Sequence, residues 1–182
     1  MEYQKLFDRL NEKLAAQNLT LSLHCVGGFV LEYHGLKATE DIDAFYESSD
    51  KIEQIIAEIG QEFDVGTNHE AWLNHSIGQL MSNPYRSDEI IYNGSNLTVG
   101  LASLKEVLVD KIQAGREKDV SDIAEIMKKL NLTSPDEILE LMKYSDGNAE
   151  LAVIFEAYGL AYGAENLKKY LTENPEMLRL LK

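Results

Sequence analysis

Residues Cys25 to Tyr46 read CVGGFVLEYHGLKATEDIDAFY, and the order of parts in this stretch decides the fold. The hydrophobic run LSLHCV (21–26) ends in Gly27-Gly28, the pattern of a buried strand that passes sharply into a helix. That helix, Gly28 to Tyr33, is expected to close at Gly35, because glycine adopts the left-handed conformation that ends a helix without steric cost. DIDAFY (41–46) then alternates polar and apolar side chains and carries two aromatics, which predicts a second strand.

Working outward, Leu6, Leu10 and Leu14 recur every four residues and predict an amphipathic opening helix. Ile52, Ile55, Ile56 and Ile59 predict another, ending near Gly60. No clear period runs from Asp64 to Arg86. Ile90–Tyr92 and Leu97–Leu101 read as a hairpin around NGSN (93–96), with Asn93-Gly94 expected to supply positive backbone angles. From Ser103 onward the pattern is helical. SLKE and SPDE each predict a capping box, Ser103 with Glu106 and Ser134 with Glu137, the latter with Pro135 at the first helical position. VSDIAEIMKKL (120–130) supplies a further helix, and two or three more follow Gly147.

The chain has 182 residues, 45% hydrophobic and 26% charged, the balance of a folded globular protein of one domain or a small domain with a helical extension. No stretch is long and apolar enough to span a bilayer, and the N-terminal charges fall at helical spacing without the apolar core of a signal peptide. With one cysteine, Cys25, an internal disulfide is impossible, and a cytoplasmic location is expected. Thirty-one acidic residues against 17 basic ones leave a net charge of −14, a field that repels polyanions and argues against broad nucleic-acid binding.

On a strand Asp41 and Asp43 point to the same face, with Ile42 and Ala44 on the other. Their Cα atoms then stand roughly 6–7 Å apart, close enough for two carboxylates to share a divalent cation, and without one they repel each other. The alternative is a turn residue followed by an exposed strand residue. Gly27-Gly28 at the strand-to-helix junction either leaves backbone N–H groups open to a phosphate or permits a tight turn and close packing. Twelve residues separate Gly28 from Asp41, so the two elements meet at neighbouring strand ends. Lys111 shares a helical stripe with Leu104, Leu108 and Ile112, and either snorkels outward or reaches the acidic site and the nucleotide phosphates, where it would serve catalysis with Asp41 and Asp43.

The pattern hydrophobic-Gly-Gly, spacer, Asp-hydrophobic-Asp resembles the signature of the nucleotidyltransferase fold, here as VGG (26–28) and DID (41–43). GGFVLEYHGLKATEDIDAFY is similar to the minimal nucleotidyltransferases among bacterial abortive-infection and toxin–antitoxin proteins, and the likeness runs from about Leu21 to Leu130 through AWLN (71–74) and NLTVGLASLKEVLVDKIQAGREKDVSDI (96–123). The resemblance implies an α+β fold, a small mixed sheet flanked by helices at 1–101; beyond Leu130 it is silent, and the helical pattern of the residues themselves predicts a helical region at 102–182 packed on the core. It implies that Gly27 and Gly28 hold the triphosphate of a nucleoside triphosphate (NTP), that Asp41 and Asp43 bind Mg²⁺ or Mn²⁺, and that Lys37 and Thr39 meet the nucleotide. Lys111 and Asp119 match a further helical motif of such transferases, whereas Asp119 also reads as an N-cap with Asp122 in the following turn.

A nucleoside monophosphate would pass to an acceptor that is a small molecule, a protein hydroxyl or a tRNA end. The fold often adds a third carboxylate from a later strand. Asp88 and Glu89 precede the predicted strand and Asn93, Ser95 and Asn96 are neutral, so no residue is assigned to that place. The alternative function is a catalytically silent module of the same fold that binds a nucleotide or a partner protein, as in a toxin–antitoxin pair. Leu151, Ile154, Phe155 and Tyr158, at helical spacing, either form an interface or complete the core. His24, His34, His69 and His75 have no ligand spacing pointing to zinc, Cys25 reads as an inert core thiol, and no G-x-S-x-G elbow occurs.

Overall fold

The strand–helix–strand reading of residues 21–46 forms the centre of the computed structural model, which describes residues 3–66, 71–75, 87–143 and 150–180. These form two compact units, Met1–Ser103 and Leu104–Lys182. The first contains α1 (Tyr3–Ala16), β1 (Leu21–Val26), α2 (Gly27–Tyr33), β2 (Ile42–Phe45), α3 (Asp50–Phe63), β3 (Leu73–His75), β4 (Glu89–Asn93) and β5 (Leu97–Leu101). The strands make one mixed sheet in the order β3-β2-β1-β5-β4. β1 runs antiparallel to β2 and parallel to β5, β2 is parallel to β3, and β4 is antiparallel to β5. The chain is thus α+β, with helices flanking a mixed sheet as expected.

The ends of α1 and α2 follow their sequence signals. Gly35 has φ +72°. Leu36 N–H bonds to Leu31 O and Gly35 N–H to Glu32 O, the paired bonds of a Schellman cap that satisfy the last carbonyls of α2. Asn18, φ +54°, closes α1 in the same way, with Leu19 N–H on Leu14 O. The leucine stripe of α1 and the isoleucines of α3 are buried as their periodicity predicts.

Two expectations are corrected by packing. α3 does not end at Gly60 but continues to Phe63. Glycine gives Trp72 a close approach there: a Cβ would stand 3.2 Å from the Trp72 ring and 3.2 Å from Val65 O, and Trp72 Nε1 donates to Ile56 O at 2.9 Å. The β4–β5 hairpin forms, yet neither Asn93 nor Gly94 has a positive φ. The turn is held from outside instead: Asn11 of α1 accepts from the N–H groups of Asn96 and Leu97 at 2.8 and 3.1 Å, and a Cβ at Gly94 would collide with the Asn11 amide.

The second unit is helical, with α4 (Leu104–Ala114), a 3-10 turn (Glu117–Asp119), α5 (Val120–Lys129), α6 (Pro135–Met142), α7 (Leu151–Tyr162), α8 (Ala164–Glu173) and α9 (Met177–Leu180). The Ser134–Glu137 capping box with Pro135 is present at α6, and α4 begins directly after Ser103. Ile154, Phe155 and Tyr158 of α7 are buried, with Phe155 and Tyr158 against Tyr170 of α8 at ring separations of 6.0 and 6.3 Å. Their apolar spacing is therefore core and not an exposed interface. Among the described residues no helix is long and apolar enough to cross a membrane.

Candidate active site

Register places the site. Asp43 lies opposite Val26 on β1 and opposite Asn74 on β3, so its carboxylate stands where β1 enters Gly27. Asp41 falls one residue before β2, and the alternation persists: Ile42 and Ala44 are fully buried, while Asp41 and Asp43 are half-buried on the other side.

The two glycines make room for different groups. Gly27 has φ +60°, a backbone that L side chains rarely adopt, and a Cβ there would meet Asp43 Oδ2 at 3.4 Å. Conformation, more than space, calls for glycine at this position. At Gly28 space decides, because a Cβ would come 3.1 Å from Thr39 Oγ1 and 3.4 Å from Thr39 Cβ. Thr39 lies over Gly28 and donates from Oγ1 to Asp41 Oδ1 at 2.9 Å. Its own N–H donates to Glu32 Oε2 at 2.5 Å, an oxygen that also accepts from the Tyr3 hydroxyl at 3.0 Å. Burial, followed by the Glu32 hydrogen bond and charge, pushes the Tyr3 hydroxyl up, so it remains a donor. Hydrogen bonds thus run from α1 and α2 through Thr39 to Asp41.

The other oxygen of Asp41 accepts from Asn74 Nδ2 at 3.0 Å. Asn74 was not singled out from the sequence. The search for a third acid considered residues around β4, but β4 lies at the far edge of the sheet beside β5, and β3 is the strand next to β2. The AWLN tetrapeptide carried the available signal, since Trp72 and Leu73 are fully buried and Asn74 follows them as a polar strand residue.

Lys37 is exposed in the segment between α2 and β2. Cys25 is fully buried, and burial, followed by the Asp43 charge, pushes its thiol up and keeps it protonated. His24 is buried on the same face of β1 as Val26, with Nδ1 2.8 Å from Ser87 Oγ, a contact that crosses β5 over Gly100. His69 lies outside the described residues.

Lys111 belongs to the second unit. It neither snorkels outward nor stands in a purely apolar stripe: only 7% exposed, it donates to Asp119 Oδ1 at 2.6 Å and Asp122 Oδ2 at 2.8 Å. Arg116 Nε donates to the remaining Asp119 oxygen at 2.6 Å. Asp119 does occupy the N-cap position of α5, but its side chain makes no capping bond. Burial pushes its carboxyl up, and the combined hydrogen bonds and charges of Lys111 and Arg116 outweigh this and hold it below its ordinary value.

Two carboxylates and a hydroxyl beside a glycine junction form an all-oxygen donor set, which suits a hard divalent cation such as Mg²⁺ or Mn²⁺. The model of a family described as a nucleotidyltransferase of unknown function (DUF6036) matches residues 2–158. The chain belongs to this family. The match is wider than the stretch from Leu21 to Leu130 in which the resemblance was legible, and reaches from α1 into α7. No curated protein and no solved structure gave a significant match. The match thus includes the residues of the candidate site and extends into the second unit as far as Tyr158.

Proposed function

We propose that this nucleotidyltransferase moves a nucleoside monophosphate from an NTP to a hydroxyl-bearing acceptor, with Mg²⁺ or Mn²⁺ held by Asp41 and Asp43. The observation that carries the reading is the convergence of Asp43 on Gly27 and of Thr39 on both Gly28 and Asp41. A bound divalent cation supplies positive charge that offsets the triphosphate. Asp41 and Asp43 bind and orient, and the missing side chains of Gly27 and Gly28 allow phosphates close to the backbone. Thr39 sets the Asp41 carboxylate, and Lys37, exposed in the segment between α2 and β2, would add a cation toward the phosphates. Transfer joins the acceptor oxygen to the α-phosphorus, breaks the bond to the β-phosphate oxygen and releases pyrophosphate, with the hydroxyl proton passing to solvent. Rate enhancement then comes from positioning and charge.

Lys111 is buried and already gives two of its three N–H donors to Asp119 and Asp122, so we assign that lysine to the α4–α5 junction. The net charge of −14 favours a small molecule, a protein hydroxyl or a tRNA end as acceptor over long nucleic acid. A second reading, a silent nucleotide-binding module such as a toxin–antitoxin component, is favoured by the neutral amide of Asn74 beside the carboxylates.

Incubation with each α-³²P-labelled NTP, Mg²⁺ or Mn²⁺, and total cell RNA, protein and small-molecule extract separates the two. Transfer of label by the parent and not by Asp43→Asn is the expected result. Cation-dependent nucleotide binding without transfer to any fraction selects the silent module, and loss of both overturns the site.

A further inference from the structure

We propose that Glu32, together with the Tyr3 hydroxyl, is a positioning residue that seats Thr39 and through it aims the Asp41 carboxylate at the cation, an inference that rests on the cation site proposed above. Thr39 lies in residues 34–41, which join α2 to β2 without helix or strand. Side chains on two helices hold it there. Gly28 and Glu32 are four residues apart and so share one face of α2. Thr39 meets this face at both levels: a Cβ at Gly28 would stand 3.1 Å from its Oγ1, and its N–H donates to Glu32 Oε2 at 2.5 Å. The Tyr3 hydroxyl of α1 stands 3.0 Å from the same Glu32 oxygen and 3.3 Å from Thr39 O, within reach of both acceptors. Both main-chain polar groups of Thr39 are thus met by side chains, and its hydroxyl donates to Asp41 Oδ1 at 2.9 Å.

A threonine hydroxyl rotates and can bond to water as readily as to a carboxylate, so its partner depends on where the main chain holds the side chain. Gly28 leaves room for Oγ1, and Glu32 fixes the Thr39 N–H one turn further along α2. The hydroxyl is thereby delivered to Asp41. Removing the Glu32 acceptor lets Thr39 turn, and Asp41 loses the donor that sets Oδ1. The effect passes through Thr39, and it is carried by one atom: Glu32 Oε2 accepts both from Thr39 N–H and from Tyr3. A neutral amide oxygen, with two lone pairs, can take that place, whereas alanine cannot.

The test is the Mn²⁺ affinity of the full chain at fixed salt, read by electron paramagnetic resonance of the free ion. The double variant Asp41→Asn, Asp43→Asn serves as the blank for weak binding to the acidic surface. Glu32→Ala is expected to bind Mn²⁺ about threefold to tenfold more weakly than the parent, the range set by one lost hydrogen bond. Glu32→Gln removes the charge but keeps an acceptor oxygen, and should stay within about twofold of the parent. A loss in Glu32→Gln as large as in Glu32→Ala would assign the effect to charge and overturn the inference. Thr39→Val, which lacks the hydroxyl, completes a double-mutant cycle: in that background Glu32→Ala should cost less than about a further twofold, a coupling that a merely structural role for Glu32 would not produce. A full additional loss there, or parental affinity in a folded Glu32→Ala, overturns the inference and leaves the cation site standing. No binding above the blank in the parent overturns both. If Glu32→Ala fails to fold, Tyr3→Phe takes its place in the cycle, since it keeps the ring against Phe29 and removes only the hydroxyl. Its expected loss is about twofold to fivefold, absent in the Thr39→Val background, and parental affinity in Tyr3→Phe would overturn the inference.

Discussion

Each unit of the chain carries an aspartate pair, and the two pairs are handled in different ways. Asp119 and Asp122 are 3% and 6% exposed, and the Lys111 ammonium donates to both, with Arg116 adding a second cation at Asp119. Asp41 and Asp43 are half-buried, and the groups that hold Asp41 are a hydroxyl and an amide, both neutral. A buried carboxylate whose charge is met inside the fold has become part of the structure, because removing its partner strands a charge in low dielectric. A carboxylate held by neutral donors is oriented yet still charged. That arrangement suits a group whose task is to receive a cation from solution.

The sharpest way to break this contrast is Lys111→Met, which keeps the apolar stem and removes the ammonium. It should cost about 3–5 kcal/mol at pH 7, because two buried carboxylates lose their shared partner. Denaturant unfolding of the parent and variant measures the loss, and parental stability would show that the cluster is not structural. The cluster also sets an acid response. Asp119 is held below its ordinary value, so its contribution is complete above the unfolded carboxylate range near pH 4 and is lost as pH falls through the lowered value.

The first unit should respond to ligand where the second responds to mutation of its own cation. Saturating Mg²⁺ or Mn²⁺, at about 100 times the dissociation constant, should stabilise the parent by about 2–3 kcal/mol. Asp43→Asn should abolish that gain while leaving stability without metal close to the parent, as read by thermal melts with and without cation. An undiminished metal response in the variant would erase the distinction between the pairs.

Asp110, on α4, offers a third kind of carboxylate. Burial, followed by the charge of Glu106, pushes it up to about 6. The sign is opposite to that of Asp119. Between about pH 4 and 6 the folded chain binds this proton more tightly than the unfolded chain, so stability falls as pH rises through that window. Asp110→Asn should therefore stabilise the chain by about 1–2 kcal/mol at pH 7, the shift being discounted for partial exposure, and by nothing measurable at pH 4. Equal effects at both values would return Asp110 to the ordinary range. The smallest effect on stability is expected of Gly28→Ala. Its Cβ would press on Thr39, for about 1 kcal/mol or less, but should weaken Mn²⁺ binding several-fold by disturbing the Thr39–Asp41 bond.

Much of the frame was legible because it is local. Leucines at every fourth position, a glycine past a helix end, and Ser134 three residues before Glu137 each act within one or two turns of backbone, and the structure contains the elements they predict. The same is true of the alternation that puts Asp41 and Asp43 on one face. Asn74 could not be found in this way, because its meaning depends on which strand lies beside β2. That neighbour is decided by long-range pairing, and β3 is a strand of three residues, too short to show a period. The full set of Lys111 partners was hidden for a related reason. Its helical stripe indicated a lysine among apolar side chains, but its partners Asp119 and Asp122 come from the 3-10 turn and the first turn of α5, brought back by the reversal after Ala114. Sequence by itself determined the periodicities, the caps and the carboxylate pair with its glycine junction, because backbone geometry links residues a few positions apart. Tertiary structure alone decided that Lys111 meets Asp119 and Asp122 and that Asn74 meets Asp41, because those contacts depend on side chains brought together by strand order and helix packing.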